Sequence, residues 1–145
     1  DHRDLNNYTN LCNQIKTLDI QENFRFLGFI PYQHVSALMQ VSDALINPSL
    51  FEGWSTTVEE ARVLGVPLIL SNLTVHREQV GEKAHFFDRW SADSLAETLT
   101  RFTPKDCIKR ESLKKDAAAD SEIRFSEFAK KFMKVTEACY QEIKA

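Results

Sequence analysis

Apolar residues divide the first part of the chain into predicted helices and strands. Between residues 4 and 18 they recur every three or four positions, which predicts an amphipathic helix with one face on a sheet. Aromatic residues alternate with other types over 23–29, which favours a strand that ends near Gly28. Pro31 suits the first turn of a helix that continues to about residue 41.

The central part of the chain contains clear start and stop signals. Short apolar runs predict buried strands over 44–47 and 66–70. The residues between them, 56–64, predict a helix, because hydroxyl side chains occupy its start and Gly65 follows its end. The result is a strand, a loop, a helix and a second strand in direct succession.

Beyond residue 72 the pattern predicts one more strand and then helices. A short helix up to residue 80, ended by Gly81, precedes a strand over 84–87. Ser91 has the chemistry of an N-cap and predicts a helix that reaches about residue 102.

The carboxyl-terminal third is predicted to be helical with an interruption. Pro104 suits the start of another helix or turn towards residue 115, and the Ala-rich segment 114–121 gives no clear pattern. A long terminal helix is predicted over 121–145. The apolar residues on one face of that helix are Phe128, Phe132, Val135, Cys139 and Ile143.

This alternation predicts an α/β fold with a Rossmann-like parallel sheet and flanking helices. In such a sheet, ligands bind at the carboxyl ends of the strands. The loop that follows the strand over 44–47 should therefore hold the functional site. Glu52 lies on that loop, and Glu60 lies on the helix after it.

Composition and charge argue against several classes of function for this chain. The chain has 145 residues, of which 43% are hydrophobic and 27% charged, as in an ordinary globular domain. A net charge of −3 gives no electrostatic reason to expect binding to nucleic acid or to an anionic membrane. Three cysteines far apart argue against a disulfide framework or a zinc site, and a cytoplasmic location is the simplest expectation.

A longer motif in 48–67 resembles the donor-site signature of the retaining glycosyltransferases of family four, the group 1 glycosyltransferases. That signature contains two glutamates separated by seven residues, and Glu52 and Glu60 have this spacing. The flanking residues match as well, which makes the resemblance specific. They are Pro48-Ser49, Gly53-Trp54, Val58-Glu59, Ala61, Gly65-Val66-Pro67 and the following Ser71-Asn72.

The resemblance implies the two-lobed GT-B fold, of which residues 1–145 would form a single partial lobe, the carboxyl-terminal one that binds the nucleotide-sugar donor. The chain begins at Asp1, without Met, inside a predicted helix, so we expect a fragment. We expect it to lack the acceptor-binding lobe and the first two strands of its own lobe. Because strand edges would then be unpaired, we expect the isolated chain either to be marginally stable or to borrow structure from a partner.

The two glutamates receive different roles from the resemblance. Glu60 would accept hydrogen bonds from the ribose hydroxyls of the donor, and the alternative is a surface glutamate or a capping box with Thr57. Glu52 would lie beside the donor sugar as the catalytic residue, binding sugar hydroxyls and stabilising charge. The alternative for Glu52 is an exposed loop carboxylate.

The residues between the glutamates are candidates for diphosphate binding. Gly53 allows a close backbone turn, and the amides at the helix start could bind a pyrophosphate, with hydroxyls from Ser55, Thr56 and Thr57. The family more commonly has Gly-x-Pro where this chain has those three residues. An ordinary capping cluster, with Glu59 as the partner of Thr56, is the alternative.

Other polar and aromatic residues are predicted to be structural. Trp54, at the aromatic position of the signature, is expected to form part of the core or the cleft wall. Glu59 is expected to be solvated, and Arg25 to be a structural residue within a strand. For the segment 76–78, a salt bridge in the edge loop is the expected arrangement, although Glu78 matches a glutamate often found in the family.

The resemblance therefore implies transfer of a hexose from a nucleotide-diphosphate sugar to an acceptor. It implies no bound metal and no other cofactor, in line with the lack of an Asp-x-Asp motif, and an inactive isolated chain. The resemblance is also compatible with peripheral association with a membrane through the missing lobe. Two alternatives remain: a non-catalytic nucleotide or nucleotide-sugar binding module, and an α/β interaction domain without a small ligand.

Overall fold

The computed structural model describes residues 5–104 and 107–144, with the side chains of 107–109 excepted. The predicted helix start at residue 4 and helix end at residue 145 lie outside these residues. Contacts divide the chain into two compact units, 1–35 and 36–145. The prediction that the whole chain forms one lobe stays a prediction.

The first unit begins with the predicted amphipathic helix, α1 (Leu5–Thr17). Its end is closed by Asp19, which has a left-handed backbone with φ +53°, and by a hydrogen bond of 3.2 Å from the amide of Ile20 to the carbonyl oxygen of Ile15. The ring of Tyr8 on α1 meets Phe26 edge to face, with centroids 5.2 Å apart.

The predicted strand over 23–29 is wrong. A single 3₁₀ turn (Gln21–Asn23) occupies its beginning, and an irregular stretch follows although Phe24 has extended dihedral angles of φ −119° and ψ 133°. A strand requires a neighbour with which to exchange ladder hydrogen bonds, and residues 24–29 have none in the described part of the chain. Alternating aromatic residues cannot reveal that a partner strand is absent.

Helix α2 (Tyr32–Val41) starts directly after Pro31, as predicted. In the second unit, the described residues form a three-stranded parallel sheet in the order β1 (Leu45–Asn47), β2 (Leu68–Ser71), β3 (His85–Phe87). Helices α3 (Thr56–Val63) and α4 (Thr74–Val80) connect the strands. This Rossmann-like α/β arrangement confirms the predicted fold class.

The core of the second unit is centred on β2. All four of its residues are buried, and Ile69 and Leu70 are 1% and 0% exposed. Val58 and Ala61 of α3 are both fully buried. Complete burial of a valine, leucine or isoleucine side chain stabilises by about 1.5–3 kcal/mol, so this small group of residues fixes α3 on the sheet.

Two further helices complete the second unit. The side chain of Ser91 caps α5 (Ala92–Arg101) by accepting a 3.1 Å hydrogen bond from the amide of Ser94, as predicted for an N-cap. The terminal helix α6 (Cys107–Lys144) is longer than the predicted segment 121–145. Its Ala-rich middle part is helical because alanine has the highest helix propensity, although it lacks a clear apolar face.

Helix α6 is attached to the rest of the second unit along its first half. Arg110 donates a 3.1 Å hydrogen bond to the carbonyl oxygen of Val41 and forms a salt bridge with Asp43. At its other end, Phe128 and Phe132 are 65% and 56% exposed and stack on each other. Within the described ranges, no helix combines the length and the hydropathy required to cross a bilayer.

Candidate functional site

The candidate site is built at the carboxyl ends of β1 and β2. Asn47, the last residue of β1, accepts a 3.0 Å hydrogen bond at Oδ1 from the amide of Ser49. Its Nδ2 donates to the hydroxyl of Ser55 at 3.1 Å. Asn47 thereby joins the beginning of the loop 48–55 to its end and fixes the path between them.

The carboxylate of Glu52 is held within this loop. Its Oε1 accepts a 2.9 Å hydrogen bond from the hydroxyl of Ser49 and a longer one, 3.4 Å, from Nδ2 of Asn47. Its Oε2 accepts none from the residues that the structure describes. The Glu52 side chain is half-buried, so one oxygen is oriented by the protein and the other stays open to a hydroxyl donor.

Two buried residues support the loop from β2 and α4, and the sequence pattern assigned neither of them this role. Ser71 donates its hydroxyl to the carbonyl oxygen of Ser49 at 2.6 Å. His76 is completely buried, and its Nδ1 lies 2.9 Å from the carbonyl oxygen of Ser71. Because a carbonyl oxygen can only accept, Nδ1 is the donor in this hydrogen bond. Leu73 and Val80, three before and four after His76, were the signal that it faces the core.

The neighbouring residue Arg77 lies on helix α4 and forms a salt bridge, whereas the described residues give none to Glu78, for which an edge-loop salt bridge was expected. The Arg77 guanidinium lies 3.1 Å from Glu82 and donates a 2.7 Å hydrogen bond to the side chain of Asn72. It also lies over the ring of Phe86, 4.3 Å from the centroid. Arg77 therefore orders the surface of the loop while His76 lies beneath it.

Gln79 of α4 fixes the start of α3. Its side chain is 3% exposed; Oε1 accepts the amide proton of Ser55 at 3.3 Å, and Nε2 donates to the carbonyl oxygen of Ser55 at 3.0 Å. Ser55 is the N-cap of α3 and is 4% exposed. Its amide and hydroxyl are thus both engaged within the protein, and the geometry gives Ser55 a supporting position.

The exposed face of α3 contains the other predicted residues. Thr56, Thr57 and Glu60 are neighbours on the helix surface through their spacing of three and four residues, while Val58 and Ala61 are buried. Both threonines are exposed, and Glu60 is half-buried. This face continues from the loop that contains Glu52.

Gly53 and Trp54 border open space on the loop. A Cβ atom added to Gly53 would meet no heavy atom within 4 Å. Trp54 is 50% exposed, so it is not a core residue, and a position on a cleft wall remains the expectation. The supporting side chains of Ser71, His76 and Gln79 lie on the inner side of the loop, so the outer surface of the loop is accessible.

The prediction that Glu59 is solvated is wrong. Its side chain is 23% exposed and forms salt bridges with Arg62 at 3.8 Å and with Arg124 of α6 at 3.2 Å. It also accepts a 3.3 Å hydrogen bond from Gln79. Helix α6 packs against α3 at this point, and the sequence pattern of α3 alone could not show that contact.

A cavity of about 390 Å³ lies at the opposite end of the strands. Its walls include Pro67 and Leu68 at the start of β2, His85 at the start of β3, and Leu113 and Asp120 of α6. Ligands of open parallel sheets bind at the carboxyl ends of the strands, so we place the functional site at the loop 48–55 and not in this cavity.

Comparison with known proteins decides the family. Residues 4–120 match the family described as "Glycosyl transferases group 1", and this match covers most of the chain. The chain belongs to the group 1 glycosyltransferases. The finer assignments, family four and a retaining mechanism, stay implications of the resemblance.

Curated relatives of this group 1 glycosyltransferase chain are glycosyltransferases by name. It is 30% identical over 91 residues to the "O-antigen biosynthesis glycosyltransferase WclY" of Escherichia coli, covering 63% of this chain and 25% of that protein. It is 31% identical over 72 residues to the "O-antigen chain mannosyltransferase B" of Escherichia coli, covering 50% and 19%. A third relative is the "2-deoxystreptamine N-acetyl-D-glucosaminyltransferase" of Niallia circulans, 36% identical over 59 residues, covering 41% and 15%. The chain thus matches a quarter or less of the length of each.

The group 1 glycosyltransferase chain brings its predicted residues together in two groups. Glu52 and Ser55 belong to one hydrogen-bonded network with Asn47. Thr56, Thr57 and Glu60 form the adjoining face of α3, and Gly53 and Trp54 lie on the connecting loop. The described residues contain no group of three His, Cys, Asp or Glu side chains that could hold a metal ion. The roles of these residues in donor binding stay predictions.

Proposed function

We propose that this chain is the donor-binding lobe of a retaining group 1 glycosyltransferase that uses a nucleotide-diphosphate hexose. The observation that supports this most directly is the Glu52 carboxylate, oriented by Ser49 at 2.9 Å on the loop after β1. A carboxylate with one oxygen fixed and the other open, at the carboxyl end of a parallel strand, is suited to bind a sugar hydroxyl.

Glu52 would act at the donor sugar. Its open oxygen would accept a hydroxyl of the hexose, and its charge would stabilise positive charge that develops on the sugar as the bond to the diphosphate breaks. The hydrogen bonds from Ser49 and Asn47 fix the carboxylate beforehand, so little reorganisation would be needed during the reaction.

The start of α3 would bind the remainder of the donor. Glu60 would accept the two ribose hydroxyls, since one carboxylate can accept both. The amide of Ser55 is bonded to Gln79, so the amides for the diphosphate would be those of Thr56 and Thr57, with their exposed hydroxyls. The positive end of the helix dipole would add to that attraction.

The names of the relatives agree with a hexose donor. One is named as a mannosyltransferase and another as an N-acetylglucosaminyltransferase. Because the chain matches a quarter or less of their length, the acceptor would be bound by a second lobe, and this chain alone would transfer no sugar. A cytoplasmic location and a reaction without a bound metal or other cofactor belong to the same proposal.

Saturation-transfer NMR on this chain tests the proposal. The panel consists of UDP, GDP, UDP-glucose, UDP-N-acetylglucosamine and GDP-mannose. Glu60→Ala should abolish transfer to the ribose protons of any ligand that the unmodified chain binds. Glu52→Gln should weaken transfer to the sugar protons and leave the ribose signals in place.

The matched control is Glu97→Ala, which removes an exposed carboxylate on α5 that pairs with Arg101 of the same helix. It should bind like the unmodified chain. Equal binding by Glu60→Ala and Glu97→Ala would contradict the assignment of the ribose site. No binding of any ligand by a folded chain would contradict the donor-binding function.

A further inference from the structure

We propose, on the basis of the donor-binding function proposed above, that His76 is a positioning residue for recognition of the donor sugar. It acts through a chain of hydrogen bonds that begins in the core and ends at Glu52. His76 Nδ1 donates to the carbonyl oxygen of Ser71 at 2.9 Å. Ser71 Oγ donates to the carbonyl oxygen of Ser49 at 2.6 Å, and Ser49 Oγ donates to Glu52 Oε1 at 2.9 Å.

The chemistry of these groups permits one direction of donation. The single hydroxyl proton of Ser71 is used at Ser49, so toward His76 the Ser71 oxygen can only accept, which it does at 3.4 Å. The ionised carboxylate of Glu52 likewise only accepts. Rotation of any one group would therefore remove one hydrogen bond from this chain.

Burial makes the first links of this chain strong. His76 and Ser71 are both 0% exposed, so water cannot replace either partner. Without the Nδ1 proton donor, the carbonyl oxygen of Ser71 at the end of β2 would lose its hydrogen bond from His76. The loop attached to Ser71 through Ser49 would then be held less firmly on this side, while Asn47 still joins its two ends.

The two ring nitrogens of His76 have different surroundings, and this difference allows an experiment to separate a positioning role of His76 from simple packing. His76 Nε2 is buried and has no hydrogen-bond partner among the described residues. Only the Nδ1 side of the ring takes part in the hydrogen-bonded chain. An asparagine amide can place an N–H near the position of Nδ1, and a glutamine amide places it near Nε2.

The variants His76→Asn and His76→Gln therefore test the inference, with His34→Asn as a control at an exposed histidine. The first readout is hydrogen exchange of the Ser49 amide, which is bonded to Asn47. The second is the ratio of the dissociation constants for UDP and UDP-glucose, and for GDP and GDP-mannose. This ratio isolates the contribution of the sugar.

We expect His76→Asn and His34→Asn to behave like the unmodified chain. In His76→Gln, exchange of the Ser49 amide should be faster and the sugar-dependent ratio should fall, each by about tenfold, as expected for one lost hydrogen bond. Binding of UDP or GDP should change by less than about twofold, since Glu52 does not contact the nucleotide in this account.

Unchanged Ser49 exchange in His76→Gln would overturn the inference. If both His76→Asn and His76→Gln lose equal affinity for sugar-containing and sugar-free ligands, the inference would also be overturned. That result would show that His76 contributes only through its packing in the core. If His76→Gln does not fold, Ser71→Ala breaks the same chain one step later and should give the same sugar-specific loss. If the unmodified chain binds none of the four ligands, the donor-binding function fails, and Ser49 exchange still decides whether His76 positions the loop.

Discussion

Ser71 Oγ donates a 2.6 Å hydrogen bond to the carbonyl oxygen of Ser49, and this bond joins the end of β2 to the loop that follows β1. The two strands are neighbours in the sheet, but the helix α3 separates them in sequence. The loop is thus held both by its own strand, through Asn47, and by the adjacent one. These two attachments of the loop together fix the position of the Glu52 carboxylate.

Ser71→Ala should destabilise the second unit. It leaves the carbonyl of Ser49 without its donor, which costs about 1–3 kcal/mol for a buried group. Urea denaturation followed by circular dichroism measures the loss. Ser126→Ala removes an exposed hydroxyl of α6 and should change the free energy of unfolding by less than about 0.5 kcal/mol. Equal effects of the two substitutions would show that the Ser71 bond does not support the fold.

Gln79→Leu should have a larger effect than the loss of one bond. Its amide bonds both backbone groups of Ser55, at 3.3 and 3.0 Å, and also Glu59 at 3.3 Å. The carbonyl oxygen of Ser55 keeps the Glu59 amide at 3.2 Å, but the buried Ser55 amide would be left unpaired, which alone costs about 1–3 kcal/mol. The control is Gln141→Leu at an exposed position of α6. A melting temperature for Gln79→Leu that equals that of the control would contradict the role of Gln79.

Substitution by alanine should destabilise the chain at Gly65 and have little effect on its stability at Gly53. Gly65 has φ +69°, and an added Cβ would lie 2.8 Å from the carbonyl oxygen of Leu113 in α6. Left-handed backbone strain and overpacking together predict a loss of about 2–5 kcal/mol for Gly65→Ala.

Gly53→Ala is the matched control for that substitution. Its Cβ would meet open space, so the free energy of unfolding should change by less than about 1 kcal/mol. Its predicted effect is on ligand binding, since the new methyl group would occupy space beside the donor. Thermal unfolding with and without a nucleotide-sugar separates the two effects, and a loss of stability in Gly53→Ala alone would contradict this description of the loop.

Trp54 should report donor binding by fluorescence. Its ring is 50% exposed beside the proposed site, and Trp90, which is 70% exposed, is the other tryptophan of the chain. In the Trp90→Phe variant, a bound nucleotide-sugar should remove water from Trp54 and shift its emission to shorter wavelength. The Trp54→Phe variant should show no shift. An equal response from both variants would mean that the signal does not come from the site.

The sequence predicted the elements whose signals are local. Helix α3 was recognised from the hydroxyls before it and Gly65 after it, and β2 was recognised from a short apolar run. Glu52 and Glu60 were identified because their spacing and flanking residues form a specific signature. Such signals depend on neighbouring residues in the sequence and not on the rest of the fold.

The features that the sequence did not predict depend on contacts between distant residues. Phe24 has extended dihedral angles but no strand partner in the described part of the chain. Glu59 was expected in solvent because its partner Arg124 lies on α6, 65 residues later in the sequence. Gln79 and His76 are polar residues of a short helix, and their burial depends on contacts with distant parts of the chain.

The most direct test of the central claim is a ¹H–¹⁵N NMR titration of this chain with UDP-glucose and with GDP-mannose. At least one of them should shift the amides of Gly53, Thr56, Thr57 and Glu60 together, with saturation, and Glu60→Ala should abolish these shifts. Shifts confined to the cavity around Leu68 and Asp120, or no shifts in a folded chain, would contradict a donor site at the carboxyl end of β1.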